Sequence, residues 1–320
     1  MKIKINLLLL ASASIILFAQ CKKEKNEDPA PTTTTTTGST APATITELFT
    51  QNGVQVQSGT ALTVSSQTVS LSGVKIEIPA NAFVTITGAP VTGTVDLAIK
   101  GIFTKKDIIL SGAPANSSGK LIATKGCVKV GASQNSQTLR IAPGANVYVN
   151  VPEPGTTPVM NLKKFYAAQI SITDTSKKWR PATDTAAIVP QFDSTTMKYY
   201  YPAKLDSVAW LNTGYEWDTV AAKTSVTIVL DSIYTATNCA VYISLNGKVV
   251  VGALYSQGMG YYSINNIPIG QNVKFVAISI IGGTYYAAYL PATITNGFSS
   301  PMTLQATTLS NIQAQLLLLP

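Results

Sequence analysis

"VKIEI", Val74 to Ile78, decides the fold. Val74, Ile76 and Ile78 fall on one side of an extended chain, Lys75 and Glu77 on the other. Successive side chains of a strand point to opposite faces, so this alternation predicts a strand with one buried and one wet side. The pattern returns in "TVDLAIK" (Val95, Leu97, Ile99), "QTLRI" (Leu139, Ile141) and "NVYVNVP" (Val147, Val149, Val151). Clusters of Gly, Pro, Asn and Ser separate the runs. Short, regularly spaced strands with such punctuation predict a β-sandwich, placed here at residues 46–153.

A second series covers residues 223–309. "SVTIVLD" sets Val226, Ile228 and Leu230 on one face, and "CAVYISLNGKVVV" sets Cys239, Val241, Ile243 and Leu245 together before Asn246-Gly247. Asn-Gly between alternating runs predicts a tight hairpin, because both central residues need positive φ. Gly282-Gly283 predicts a second one. Residues 310–320, "SNIQAQLLLLP", read as a short helix or tail with Ser310 as N-cap. Residues 154–222 hold all three tryptophans (Trp179, Trp210, Trp217) and the Tyr199–Tyr201 run, too apolar for a free linker. They are expected to extend the first sandwich or to lie between the two. The fold class is therefore all-β, with two β-sandwich domains. A composition rich in β-branched and aromatic residues, with only 12% charged, agrees.

The run "GVKIEIPANAF … GTVDLAIKGIF … GKLIATKGCVKVGA … LRIAPGANVYVNVP" resembles the ZU-type β-sandwich of zonula occludens and netrin-receptor proteins, kin of the GAIN fold. The shared features are Ile78, Pro79 and Ala80 before Phe83, the entry Gly93-Thr94-Val95, and Val147 to Pro152. Some of those relatives cleave themselves at a His-containing turn. This chain has no His, and that activity does not carry over. "INNIPIGQNVKFVAIS", Ile264 to Ser279, resembles a carboxypeptidase-regulatory or transthyretin-like module, which implies an accessory sandwich without an active site.

The N-terminus reads differently. Lys2 and Lys4 precede an almost wholly apolar run from Ile5 to Ala19. That run is about fifteen residues, against about twenty for a spanning helix, so residues 1–20 read as a secretory signal. Cys21 follows at once, then "KKEKNED". This arrangement resembles a bacterial lipoprotein signal. The resemblance implies diacylglyceryl transfer to the Cys21 thiol, cleavage before it and acylation of the new amino group. Leu17 stands four places before Cys21, and Gln20 occupies the place where a small residue is usual. Lys followed by acidic residues resembles the export signal of surface lipoproteins in certain Gram-negative phyla. The implied location is the outer membrane, at the cell surface, with the periplasmic face as the alternative. Residues 21–45, dominated by Thr and Pro, cannot bury enough apolar surface to order and are expected to form a disordered tether.

Composition also excludes chemistry. Without His, neither Ser-His-Asp nor Cys-His nucleophile systems can be built, and most catalytic zinc sites lose a ligand. The net charge of +8 is dispersed in lysine pairs such as Lys105–Lys106 and Lys163–Lys164, so no nucleic-acid surface is expected. "GAPANSSGK", Gly112 to Lys120, fails as a phosphate loop because its glycine spacing is too long and Leu121 stands where Ser or Thr should be. It reads as a polar surface loop. No Asp-rich calcium loop occurs, and no metal or cofactor is expected. Glu77 and Asp96 alternate with core residues and should face solvent, which leaves a carboxylate hydrolase as a remote alternative.

Cys239, on one face with Val241 and Ile243, reads as a buried hydrophobe, and Cys127, in the other domain, falls on the face opposite Val128 and Val130, with a disulfide between them as the alternative. The aromatics of residues 154–222 read as core, with a carbohydrate-binding surface as the alternative. Asp followed by Ser or Thr recurs at Thr185, Ser194, Ser207, Thr219 and Ser232. This resembles an O-glycosylation acceptor of some of the same bacteria, while ordinary turn chemistry gives the same pattern. Leader, stalk and sandwiches together resemble a group of Gram-negative surface lipoproteins, a resemblance that carries no activity onto residues here. The expectation is a non-catalytic, lipid-anchored envelope protein for adhesion, scaffolding or partner binding. Glycan capture is the alternative. The expected partners are the membrane, through Cys21, and a protein or glycan at the cell surface.

Overall fold

A computed structural model describes residues 41–117, 119–153, 155–167, 179–184, 186–217 and 221–320. The leader, Cys21, the residues of the tether before Ala41, Thr185 and Thr219 lie outside the described residues.

Among the described residues the chain is all-β with three short helices. Val74–Ile78 is a strand whose burial alternates as its sequence does, with Val74, Ile76 and Ile78 inside. It lies in a five-stranded sheet ordered Gln191–Asp193, Lys198–Lys204, Tyr148–Pro152, Val74–Ile78, Gln67–Leu71. A nine-stranded sheet faces it, running Gln57–Leu62, Thr94–Ile102, Lys120–Gln134, Trp210–Trp217, Lys163–Ala167, Arg180–Pro181 along its main path. Val95, Leu97, Ile99, Val128 and Val130 of the nine-stranded sheet meet Ile76, Val149, Val151 and Tyr201 of the five-stranded sheet in one core. Fully burying each such aliphatic side chain stabilises the fold by about 1.5–3 kcal/mol.

The third sheet has eight strands. Val251–Gly258 pairs with Cys239–Leu245 through Val251 to Leu254, then with Tyr261–Pro268 through Tyr255 to Gly258. The strand therefore belongs to two leaflets, which enclose Val226, Ile228, Val241, Ile243, Phe275 and Ala277. Cys239–Leu245 is buried on both faces. Its odd residues enter that core, while Ala240 and Tyr242 enter another, with Ile122, Cys127 and Phe165 of the nine-stranded sheet. Residues Ala41 to Pro320 form one compact unit.

Two helices add to this shared core. Thr44 caps α1 (Ile45–Asn52) through Oγ1, which accepts from the Glu47 N–H at 3.1 Å, and Ile45, Leu48 and Phe49 are buried. Thr104 likewise caps α2 (Lys105–Leu110), accepting from Asp107 N. Neither helix was expected: each is shorter than the span over which apolar periodicity becomes readable. The C-terminal helix α3 (Leu309–Leu317) is capped by Thr308 rather than Ser310, with Oγ1 accepting from Asn311 N at 3.2 Å.

Other expectations are corrected in detail. Gly282 and Gly283 both have positive φ and join Ile281 to Thr284 in a two-residue hairpin. At Asn246-Gly247 only Gly247 does, and the ladder closes at Ser244 and Val251, so that connection is a longer loop. Gly112 to Lys120 is not a surface loop. Asn116 and Ser117 are buried, and the Asn116 amide exchanges two hydrogen bonds with the Ala253 backbone, at 3.1 and 3.3 Å. A side-chain amide can complete a strand edge as a peptide group does, which a polar composition does not reveal.

Candidate functional site

A concavity lies where the nine-stranded sheet, α2, the 246–249 loop and the end of α3 meet. It holds about 660 Å³. A register shift creates its floor. Thr213 opposes Gly126 and Gly214 opposes Thr124, so Lys125 has no partner in the ladder. Such a bulge inserts one residue and exchanges the two faces of the strand beyond it. This is why Ile122 and Cys127, five positions apart, share a core. Glycine is required opposite: a Cβ on Gly214 would stand 2.4 Å from the Ala123 carbonyl oxygen. Gly126 and Gly101 leave room for the Phe103 ring, which lines the cleft.

Lys125, so released, pairs with Glu153 at 2.6 Å. The Glu153 side chain is 2% exposed and also accepts from Tyr201 Oη at 2.5 Å and Gly155 N at 2.9 Å. Burial alone would raise its pKa. The hydrogen bonds from Lys125, Tyr201 and Gly155 outweigh that and hold it below the usual carboxylate value. The same burial, with the Glu153 contact, pushes the Tyr201 phenol up. Glu153 is thus a fixed anion that neutralises Lys125.

The other lysines of the cleft have no such partner. Lys105 is buried, and its Nζ donates to the Leu245 carbonyl at 2.5 Å and to the Pro320 main-chain oxygen. Burial, then nearby Lys274, lowers its pKa to about 8, so it remains mainly cationic at neutral pH. Lys106 is half-buried beside it. Lys248, exposed on the 246–249 loop, sits 4.9 Å from the Trp217 ring centre and donates to Tyr215 Oη at 3.2 Å. Among the described residues no Asp or Glu lies within ion-pair distance of Lys105, Lys106 or Lys248. The lining contains no Asp, Glu or Cys. Phe103, Val159, Leu316 and Leu319 supply an apolar wall.

A second, open groove of about 830 Å³ runs between the Thr284–Thr293 strand and α3. Tyr289, Thr303, Gln305, Asn311 and Gln315 line it, with no charged side chain, and the buried Tyr289 hydroxyl has no hydrogen-bond partner.

Ser194, Ser207 and Ser232 are all exposed, and they are not brought together. The preceding acids Asp193 and Asp231 accept from the backbone N–H two residues on, at 2.9 and 3.1 Å, as does Asp184 from Ala186 at 2.9 Å. Turn chemistry therefore accounts for the Asp at these three positions. Trp179 and Tyr201 are buried, with Trp179 Nε1 donating to the Pro114 carbonyl at 3.1 Å. Trp210, Trp217, Tyr199 and Tyr200 are half-buried. Glu77 and Asp96 are exposed on different sheets. Cys127 and Cys239 are unpaired and buried, and burial pushes both thiols up, Cys239 to about 12.

The cleft lysines were visible in the sequence only as scattered pairs. One signal could have located Lys125: apolar parity breaks between "LIA" and "CVKV", with Lys125-Gly126 at the break. Comparison of the chain with protein families and with curated proteins gives no match.

Proposed function

We propose a lipid-anchored, non-catalytic binding protein of the bacterial cell envelope, held at the outer membrane through acylated Cys21. The Thr-rich segment after Cys21 acts as a spacer, and the β-rich body captures a partner or ligand. The observation that supports this reading is the cleft: a preformed concavity of ligand size whose lining carries cations and apolar groups, but no Asp, Glu or Cys side chain. Such a lining suits holding a molecule rather than transforming it. Two or more acyl chains at Cys21, at about 0.8 kcal/mol per buried methylene, make the attachment durable. The exposed Ser194, Ser207 and Ser232 are open to glycosylation, which intact mass from the native host would register.

Fractionation of cells carrying Cys21→Ser tests the anchor. The variant is expected in the soluble fraction, and one that stays with membranes removes it. Protease shaving of intact cells separates surface from periplasmic display. A second reading, glycan capture, draws on the uncharged groove beside α3, whose amides, hydroxyls and Tyr289 ring are the groups that engage neutral sugars.

A further inference from the structure

We propose that the cation-lined cleft takes an amphiphilic organic anion: its acid group lies against Lys106 and Lys248, and its apolar body along Phe103, Leu317 and Leu319. This deepens the binding reading and rests on it. Three features point to that chemistry. First, the charge at the cleft is unbalanced. Glu153 cancels Lys125 and Lys105 is held by the Pro320 main-chain oxygen, whereas Lys106 and Lys248 have no Asp or Glu within ion-pair distance among the described residues. An ammonium group partly withdrawn from water gains most from an anion, since hydrogen bonds between ionised partners are about twice as strong as neutral ones. Lys105 is already satisfied by two main-chain oxygens. It is buried, and the more accessible Lys106 and Lys248 supply the contacts.

Second, part of the cleft lining is hydrocarbon. Leu319 is half-buried and Leu317 is 68% exposed, so both present apolar surface at the cleft. A hydrated inorganic anion would leave these side chains unused, and a neutral lipid would leave the cations unpaired. Third, a volume of about 660 Å³ lies within the 300–1,000 Å³ range of sites that enclose one small molecule, not a polymer.

The test uses the full chain carrying Cys21→Ser, so that no acyl chain of its own competes. Calorimetric titration compares dodecanoate, dodecyl phosphate and dodecanol, each below its aggregation threshold. Both acids are expected to bind, and dodecanol about tenfold more weakly or worse. Relative affinity of the two acids distinguishes a fatty-acid type of ligand from a phosphorylated one. Lys106→Gln with Lys248→Gln, on the surface and compatible with folding, is expected to weaken the acids about tenfold while leaving dodecanol unchanged. Equal binding of alcohol and acids overturns the anion assignment but leaves the cleft as a binding site. Acid binding that is unchanged both in the double variant and in a folded Val249→Trp variant, which fills the cleft, overturns the cleft itself. Absence of binding by all three probes overturns the proposal.

Discussion

Gly214→Ala puts the bulge beneath the cleft to a quantitative test. In a strand, alanine normally stabilises relative to glycine by about 0.5–1 kcal/mol, because the unfolded chain loses freedom. At Gly214 the new methyl would stand 2.4 Å from the Ala123 carbonyl oxygen and 2.8 Å from Ile122 Cγ2. Main chain cannot rotate away as a side chain can, so the clash belongs at the upper end of the overpacking range, about 3 kcal/mol. Subtracting the entropic gain leaves a loss of about 2 kcal/mol, or about 4–8 °C in Tm for a body of this size. Gly131→Ala, in the same sheet, is the control. Its methyl would meet Ala98 Cβ at 3.4 Å, an ordinary contact, and it is expected to be neutral or slightly stabilising. Thermal unfolding followed by circular dichroism compares the two. If Gly214→Ala is as stable as Gly131→Ala, the ladder carries no bulge at Lys125, and the account of how Lys125 reaches the cleft fails.

Other consequences are as direct. Glu153→Gln leaves Lys125 and Tyr201 without their anion and should cost about 2–3 kcal/mol by denaturant unfolding, less than a fully buried pair because Lys125 keeps some water. Glu153 titrates below its ordinary value of 4.5 in the folded chain, so its contribution is present above that value and is lost as pH falls through the native pKa. Acid destabilisation should therefore be shallower in the variant than in the parent. Cys127 and Cys239 should resist alkylation in the native chain and react once it is unfolded, whereas a gain of two hydrogens on reduction would show a disulfide. Thr308→Ala should cost about 1 kcal/mol and Ser310→Ala almost nothing, a contrast that differential scanning calorimetry can read.

Strands with one wet face were legible because burial follows parity, as at Val74, Ile76 and Ile78. Cys239–Leu245 was harder, since both faces are buried and Tyr242 serves a different core from Ile243. What escaped depends on distant partners. Asn116 becomes interior only because the Ala253 backbone accepts and donates to it. Lys105 and Lys106, neighbours on α2, lie far in sequence from Lys248, and the three acquire meaning when α2 and the 246–249 loop converge. The bulge at Lys125 leaves a trace in the sequence, a change of apolar parity across Gly126, but alternation within either flanking run looks regular on its own. Caps were misplaced by two residues at α3 because Thr308 and Ser310 are chemically equivalent candidates.

The account stands or falls on a tethered body whose first residue belongs to the membrane. The intact mass of the mature chain extracted from membranes of its native host measures this directly. A chain beginning at Cys21 and carrying diacylglyceryl and N-acyl groups is the predicted result. A chain that retains its leader, or one cleaved elsewhere with an unmodified Cys21, would contradict it.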